Sequence, residues 1–349
     1  MHRKDNLLGT LVIAALIAAG VGLARNPLSL APDGSLHFRL ASEPVTPIAN
    51  VAVRQISWSA DSRRFLAVET GDIGVGGPLV IHDRDSGPQR LTIGSSGEPI
   101  VLAELIPDGQ HLLVATREGQ LWWSHLQHAE RQLLLQLPEM VDFSALAVSR
   151  DSRQIAVASS DGSLYLITPP VDNEAGTRTP LISGPAVRTT RLAFSPDGQA
   201  LVTAAYDGSI RQWDLKSGRI RQTWTGHSQP ATAVAVLPDG RIISASQDDT
   251  IRLWEIDSER EVWRLESELL GVSTLAVSSD GKSAAWGGHR RKIVVWDLTS
   301  WQRRHEISIS ASMVWDLQFS PDGHSLAVAG NDGTLELIDA HTGAKATES

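Results

Sequence analysis

The chain predicts an all-β fold, a seven-bladed β-propeller of four-stranded antiparallel blades, and three observations carry the prediction. Seven apolar runs end in an acidic turn: Ala60-Asp61-Ser62, Pro107-Asp108-Gly109, Arg150-Asp151-Ser152, Pro196-Asp197-Gly198, Pro238-Asp239-Gly240, Ser279-Asp280-Gly281 and Pro321-Asp322-Gly323. The turn aspartates are spaced 47, 43, 46, 42, 41 and 42 residues apart. A repeat of that length with no helical pattern marks propeller blades. After each turn a second apolar run ends in a Trp-Asp-like pair, at His82-Asp83, Ser124-His125, Ile167-Thr168, Trp213-Asp214, Trp254-Glu255, Trp296-Asp297 and Ile338-Asp339. One closed ring can absorb all 349 residues, although length alone suggests two domains.

Residues 1–25 come first in the chain and are expected to be an N-terminal transmembrane anchor or signal segment. His2, Arg3 and Lys4 precede an uncharged stretch from Leu7 to Ala24. As a helix it would reach roughly 27 Å, close to the hydrocarbon thickness of about 30 Å. Nine of its residues are Leu, Ile or Val, which together favour insertion by about 3–5 kcal/mol. The basic residues ahead of it place the N-terminus in the cytoplasm and the propeller outside it. Cleavage after Gly22-Leu23-Ala24, leaving a secreted or periplasmic protein, is the alternative.

Residues 26–35 read as a linker and 36–343 as the propeller. Leu36, Phe38 and Leu40 alternate with His37 and Arg39. This run is expected to supply the outer strand of the last blade, because residues 341–349 are polar and unpatterned and 344–349 read as a tail. Without it the blade would present unpaired N–H and C=O groups along an open edge. Inside a blade, residues 190–224 show the design. Leu192 to Phe194 leads into Ser195-Pro-Asp-Gly, Ala200 to Ala204 runs apolar, Tyr206-Asp207-Gly208 turns, and Ile210 to Trp213 and Ile220 to Trp224 follow. Short alternating runs split by Gly and Asp turns are antiparallel strands. Val171 to Pro180 is a polar insertion that lengthens one interval.

These residues resemble the WD-repeat β-propeller family, in a bacterial-style, membrane-anchored form, over roughly 36 to 343. The best-matching stretch is Ser244-Ala-Ser-Gln-Asp248-Asp-Thr250-Ile-Arg-Leu-Trp254-Glu, preceded by Gly226-His227. The resemblance implies a structural hydrogen-bonded set of His227, Ser244 (or Ser246), Asp248 and Trp254, in which a buried indole and imidazole satisfy one another. It also implies a binding face built from the starts of innermost strands and the turns between second and third strands. Here that face would hold Arg54, Arg191 and Trp315 at strand starts, and Tyr206, Gln247 and Arg290 in turns. Seven marks favour seven blades over the six-bladed type that shares the Ser-Pro-Asp-Gly turn.

Chemistry beyond binding finds little support. No His-Glu-x-x-His and no paired ligands at metal spacing occur. Gly71 to Gly77 is glycine-rich but leads into a strand, whereas a phosphate cradle needs a helix N-terminus. The absence of cysteine excludes disulfides, thiolate metal sites and thiol nucleophiles. A net charge of −9 argues against nucleic acid as the main partner. The expectation is therefore a membrane-tethered, non-enzymatic scaffold for unidentified protein partners, with no cofactor, no metal and no nucleic acid. An enzyme or solute-binding propeller would need ionisable side chains converging in the central channel. The innermost strands carry mostly Ala, Val, Leu and Ser, with Glu104 the main exception. A purely structural module is the third reading.

Overall fold

A computed structural model of the chain describes residues 52–70, 76–84, 87–91, 99–126, 131–170, 176–181, 187–256 and 258–345. Strands among these residues form seven successive antiparallel blades. The first blade is β1 (Val53–Trp58), β2 (Arg64–Thr70), β3 (Gly76–Asp83) and β4 (Gly87–Leu91). The second is β5 (Ile100–Leu105), β6 (His111–Thr116), β7 (Gln120–His125) and β8 (Arg131–Gln136). The third is β9 (Phe143–Val148), β10 (Ile155–Ser159), β11 (Leu164–Thr168) and β12 (Thr177–Leu181). The fourth is β13 (Thr189–Phe194), β14 (Ala200–Ala205), β15 (Ile210–Asp214) and β16 (Arg219–Trp224). The fifth is β17 (Ala231–Val236), β18 (Ile242–Ser246), β19 (Thr250–Trp254) and β20 (Glu261–Glu266). The sixth is β21 (Val272–Val277), β22 (Ser283–Gly288), β23 (Lys292–Asp297) and β24 (Gln302–Ser308). The seventh has three strands among the described residues, β25 (Val314–Phe319), β26 (Ser325–Gly330) and β27 (Leu335–Asp339).

All seven acidic turns join the first strand of a blade to its second. The third turn residue is left-handed in every one, with φ of 59° at Ser62, 72° at Gly109, 60° at Ser152, 68° at Gly198, 90° at Gly240, 69° at Gly281 and 74° at Gly323. That conformation is why glycine recurs there. In five blades a serine two residues before the aspartate completes the turn. Ser59, Ser149, Ser195, Ser278 and Ser320 each donate to their aspartate at 2.5–2.7 Å. The same hydroxyls accept from the backbone N–H five residues on, at 2.9–3.0 Å. They hold Asp61, Asp151 and Asp197 below the usual carboxylate range.

The apolar core lies between blades rather than within them. One cluster joins Ile243 and Leu253 of the fifth blade to Val272, Leu275 and Trp286 of the sixth. Another joins Ala145 and Ala156 of the third to Leu192 and Trp213 of the fourth. The first and last blades meet in the same way, Ile56 and Phe65 packing with Ala327 and Ala329. Hydrogen bonds cross that seam: the Ile56 N–H donates to Asp316 Oδ2 (2.9 Å), Trp58 Nε1 to the Gln318 carbonyl (3.2 Å), and the Asp322 N–H to Ser62 Oγ (2.9 Å). The ring is thereby closed by its innermost strands.

Near its start, the first strand of all seven blades carries a β-bulge, for example between Thr189 and Arg191 and between Val314 and Asp316. Three bulges hold a hydroxyl that reaches the next blade. Thr190 Oγ1 donates to the Ala231 carbonyl (2.5 Å), Thr232 Oγ1 to the Val272 carbonyl (2.7 Å) and Ser273 Oγ to the Val314 carbonyl (2.5 Å).

One part of the sequence reading is corrected at the end of the chain. Residues 341–345, read as unpatterned, repeat the turn of the fourth blade. The Gly343 N–H donates to the Asp339 carbonyl at 2.9 Å, as the Gly218 N–H does to the Asp214 carbonyl at 2.9 Å. Lys345 then pairs with Ile338 on the outer edge of β27. The missed signal is the shared Asp-x-x-x-Gly spacing of Asp214 to Gly218 and Asp339 to Gly343. The membrane segment 7–24, the linker 26–35, the closure strand 36–40 and the last residues of the 344–349 tail lie outside the described residues. No helix among the described residues is long and apolar enough to cross a membrane.

Candidate interaction face and central channel

The turns between second and third strands are tied to the segments that lead into each blade, which puts both on one face of the disc. The Tyr206 N–H donates to the Arg188 carbonyl (2.9 Å), Gln247 to Pro230 (3.0 Å), His289 to Leu269 (3.0 Å) and Asn331 to Met313 (3.1 Å). The acidic turns occupy the opposite face. Tyr206 is 59% exposed on the first face, and Arg54, Gln247 and Arg290 are exposed there too, with Trp315 half-buried. Arg54 and Trp315 sit in the bulges of β1 and β25, where three other blades place a clamping hydroxyl. Partial desolvation by the surrounding protein, and then the neighbouring Arg188, push the Arg54 guanidinium down from its ordinary value although the residue reaches solvent, opposed by Asp142. Met140 (99% exposed) and Leu270 (59%) join this face from left-handed loop positions.

Arg191 does not belong to that rim. It points into the channel, where Nη2 lies 2.8 Å from Asp316 Oδ1 and 3.4 Å from Thr274 Oγ1. The Asp316 side chain is 2% exposed. On the adjoining first and second blades, Gln55 Nε2 donates to Glu104 Oε2 (3.0 Å) while Gln55 Oε1 accepts from the Ala103 N–H (3.2 Å). Burial first, and then the Asp316 carboxylate, push the Glu104 carboxyl up to about 8, against a smaller opposing pull from Arg191. Gln55, Glu104, Arg191 and Asp316 border a cavity of about 260 Å³ that Leu146, Phe194, Leu275 and Phe319 also line. The innermost strands are therefore more polar than the sequence reading allowed. The signal was present: Gln55, Arg191, Thr274 and Asp316 each stand six residues before their turn aspartate.

The structural set of the fifth blade is built around one serine. His227 Nε2 lies 2.8 Å from Ser244 Oγ, and Trp254 Nε1 donates to the same oxygen at 2.8 Å. His227 Nδ1 lies 3.1 Å from Asp248 Oδ2. Thr250 Oγ1 donates to Asp248 Oδ1 (2.7 Å), and the Ser228 N–H donates to Oδ2 (3.0 Å). Burial works against charge on Asp248, but these bonds and His227 outweigh it and hold the carboxyl near 2. Burial keeps the His227 imidazole below its ordinary value despite Asp248. Ser246 instead donates to the Gln229 carbonyl (3.1 Å). Among the described residues no group of His, Asp and Glu could hold a metal ion.

Fold and blade chemistry together define a seven-bladed β-propeller whose fourth and fifth blades match the WD repeat. Comparison with known proteins agrees. The family of the WD domain, G-beta repeat, matches residues 179–214 and 218–255, and the Anaphase-promoting complex subunit 4 WD40 domain matches 289–349. The chain is similar to Autophagy-related protein 16 of Arabidopsis thaliana, 25% identical over 49% of this chain and 34% of that protein. It is similar to Protein LST8 homolog of Drosophila melanogaster, 24% identical over 65% of this chain and 75% of that protein. It is also similar to Protein groucho of Drosophila melanogaster, 27% identical over 44% of this chain and 21% of that protein. The chain thus spans about a third of the first of these relatives and about a fifth of the third.

Proposed function

We propose that the protein is a non-enzymatic scaffold that binds protein partners on the face around the channel mouth, tethered to a membrane through residues 7–24. WD-repeat propellers typically mediate protein–protein interactions, and fold alone leaves the partner open. The observation that carries the reading is a rigid face presenting Arg54 from the bulge of β1, and Tyr206, Gln247 and Arg290 from hydrogen-bonded turns, to solvent. Tyr and Arg are residue types that anchor interfaces, and turns already fixed by backbone bonds lose little freedom on binding. The tether rests on the uncharged stretch Leu7 to Ala24 and the basic residues before it, with the propeller outside the cytoplasm.

Crosslinked pull-down of the full chain tests the face. Partners kept by Arg153→Ala on the opposite face but lost with Arg54→Ala plus Tyr206→Ala support it, and equal recovery by both variants refutes it. Alkaline extraction of membranes tests the tether: a chain lacking residues 7–24 should leave the membrane fraction, and retention there would contradict the assignment.

A further inference from the structure

Glu104 is a poor residue for stability where it stands. Its carboxyl faces the central cavity, accepts a hydrogen bond from Gln55, lies beside the Asp316 carboxylate, and has no ion-pair partner among the described residues. Arg191, the cation bordering the same cavity, is already bound to Asp316. Among the described residues the cavity thus holds one ion pair and one further acid that has no ion-pair partner of its own, only a weaker pull from Arg191. We propose that it is a binding site for a primary alkylammonium group, whose charged head pairs with Glu104 and whose hydrocarbon stem lies along Leu146, Phe194, Leu275 and Phe319.

The surroundings select that chemistry over its rivals. An anion would have to compete with Asp316 for Arg191 while sitting next to two carboxyl groups. A hard metal ion takes six or more oxygen ligands, whereas the carboxylates on this lining are Glu104 and Asp316, and Asp316 is already bound to Arg191. A volume of about 260 Å³ equals that of roughly nine waters, enough for a short aliphatic amine or one lysine side chain. The facing strands leave no hidden cation. β9 contributes Leu146 to Val148, β17 Val234 and β21 Leu275 to Val277 to the wall. β1 contributes Gln55 to the wall, with Ser57 also close to Glu104, and Arg54, Asp142 and Arg188 interact with one another away from Glu104.

Binding is coupled to a proton. Because Glu104 titrates only at about 8, it is neutral when the site is empty at neutral pH. An arriving ammonium group pairs with the carboxylate, and the Glu104 proton leaves to solvent. One proton released per ligand bound makes affinity rise roughly tenfold per pH unit below pH 8 and level off above it. The ammonium group could belong to a free amine or to a lysine of another protein. The site is independent of the face described under Proposed function.

Ligand-observed NMR titration of the full chain with n-butylammonium, n-butanol and butyrate, at several pH values from 6 to 9, tests the proposal. Butylammonium alone should bind, with the stated pH slope. Glu104→Gln should lose at least tenfold in affinity at pH 8 and lose the slope, and Glu104→Asp, a second variant, should weaken binding but keep the slope. Putrescine and N-acetyl-lysine methylamide separate the sources, the tighter of the two naming the natural guest. Butyrate or butanol binding as well as butylammonium overturns the proposal. So does a pH-independent affinity, an affinity unchanged in Glu104→Gln, or no binding by any of the amines at tens of millimolar.

Discussion

Replacing Glu104 by glutamine keeps the size and hydrogen-bonding shape of the protonated side chain and removes only its ability to ionise. In the folded protein the carboxyl is pushed from 4.5 up to about 8 by burial and by Asp316. An exposed glutamate in the unfolded chain ionises near its ordinary value. Between pH 4.5 and about 8 the folded state therefore binds more protons than the unfolded one. Stability must fall as pH rises through that window and stay flat above it. At about 1.4 kcal/mol per pH unit, the loss reaches roughly 3 kcal/mol by pH 7 and roughly 5 kcal/mol by pH 8, an upper bound because cavity water can relax around the charge. Glu104→Gln should match the parent at pH 4 and exceed it by up to about 3 kcal/mol at pH 7. For a propeller of this size that is a rise in melting temperature of about 5 °C. Thermal melts of both full chains from pH 4 to 9 give the answer. Parallel curves with a constant offset would show that Glu104 ionises normally, and the account of the channel would fail.

The serine at the centre of the fifth blade should be costly to remove: Ser244→Ala strands the Trp254 indole N–H and one His227 nitrogen, and denaturant melts should show a loss of about 3 kcal/mol. Two equivalent turn glycines should differ. Gly198→Ala meets nothing within 4 Å and pays only for its left-handed φ, about 1–2 kcal/mol. Gly281→Ala would place its Cβ 2.3 Å from Pro238 Cδ of the neighbouring blade and should cost clearly more in the same melts, equal losses counting against the packing described. Thr232→Val removes the hydroxyl that bridges to the Val272 carbonyl (2.7 Å) and should lower stability by about 1–2 kcal/mol, with hydrogen exchange quickening at the seam between the fifth and sixth blades.

The ring was legible because its signals are local. A left-handed third position, an aspartate that caps the turn and a serine two residues ahead are decided within six residues, so they repeat visibly and count the blades. The closing turn at Asp339 to Gly343 carried such a signal and went unread because the residues around it are polar. The channel was harder for a different reason. Arg191 and Asp316 are 125 residues apart, and Gln55 and Glu104 are 49 apart. Only the closed circle brings them together. Reading Arg191 as a rim residue followed from its place early in β13. The bulge at Thr190 shifts the residues after it, and in the fold the arginine turns inward to Asp316.

The bulge hydroxyls bolt three seams in succession, from the fourth blade through to the seventh. Elsewhere the equivalent positions are Trp315, Arg54 and Val101, which have no hydroxyl to offer, and Ser144, whose oxygen meets no partner. One arc of the wheel is riveted by hydroxyls, while the seams on either side of the first blade are held by packing and by other hydrogen bonds, among them Ile56 to Asp316, Trp58 to Gln318 and Ala103 to Gln55. Heat or mechanical load should therefore open the disc first at the seams beside the third blade, where Ser144 Oγ meets no partner, while the stretch from Thr190 to Val314 stays together as a wedge.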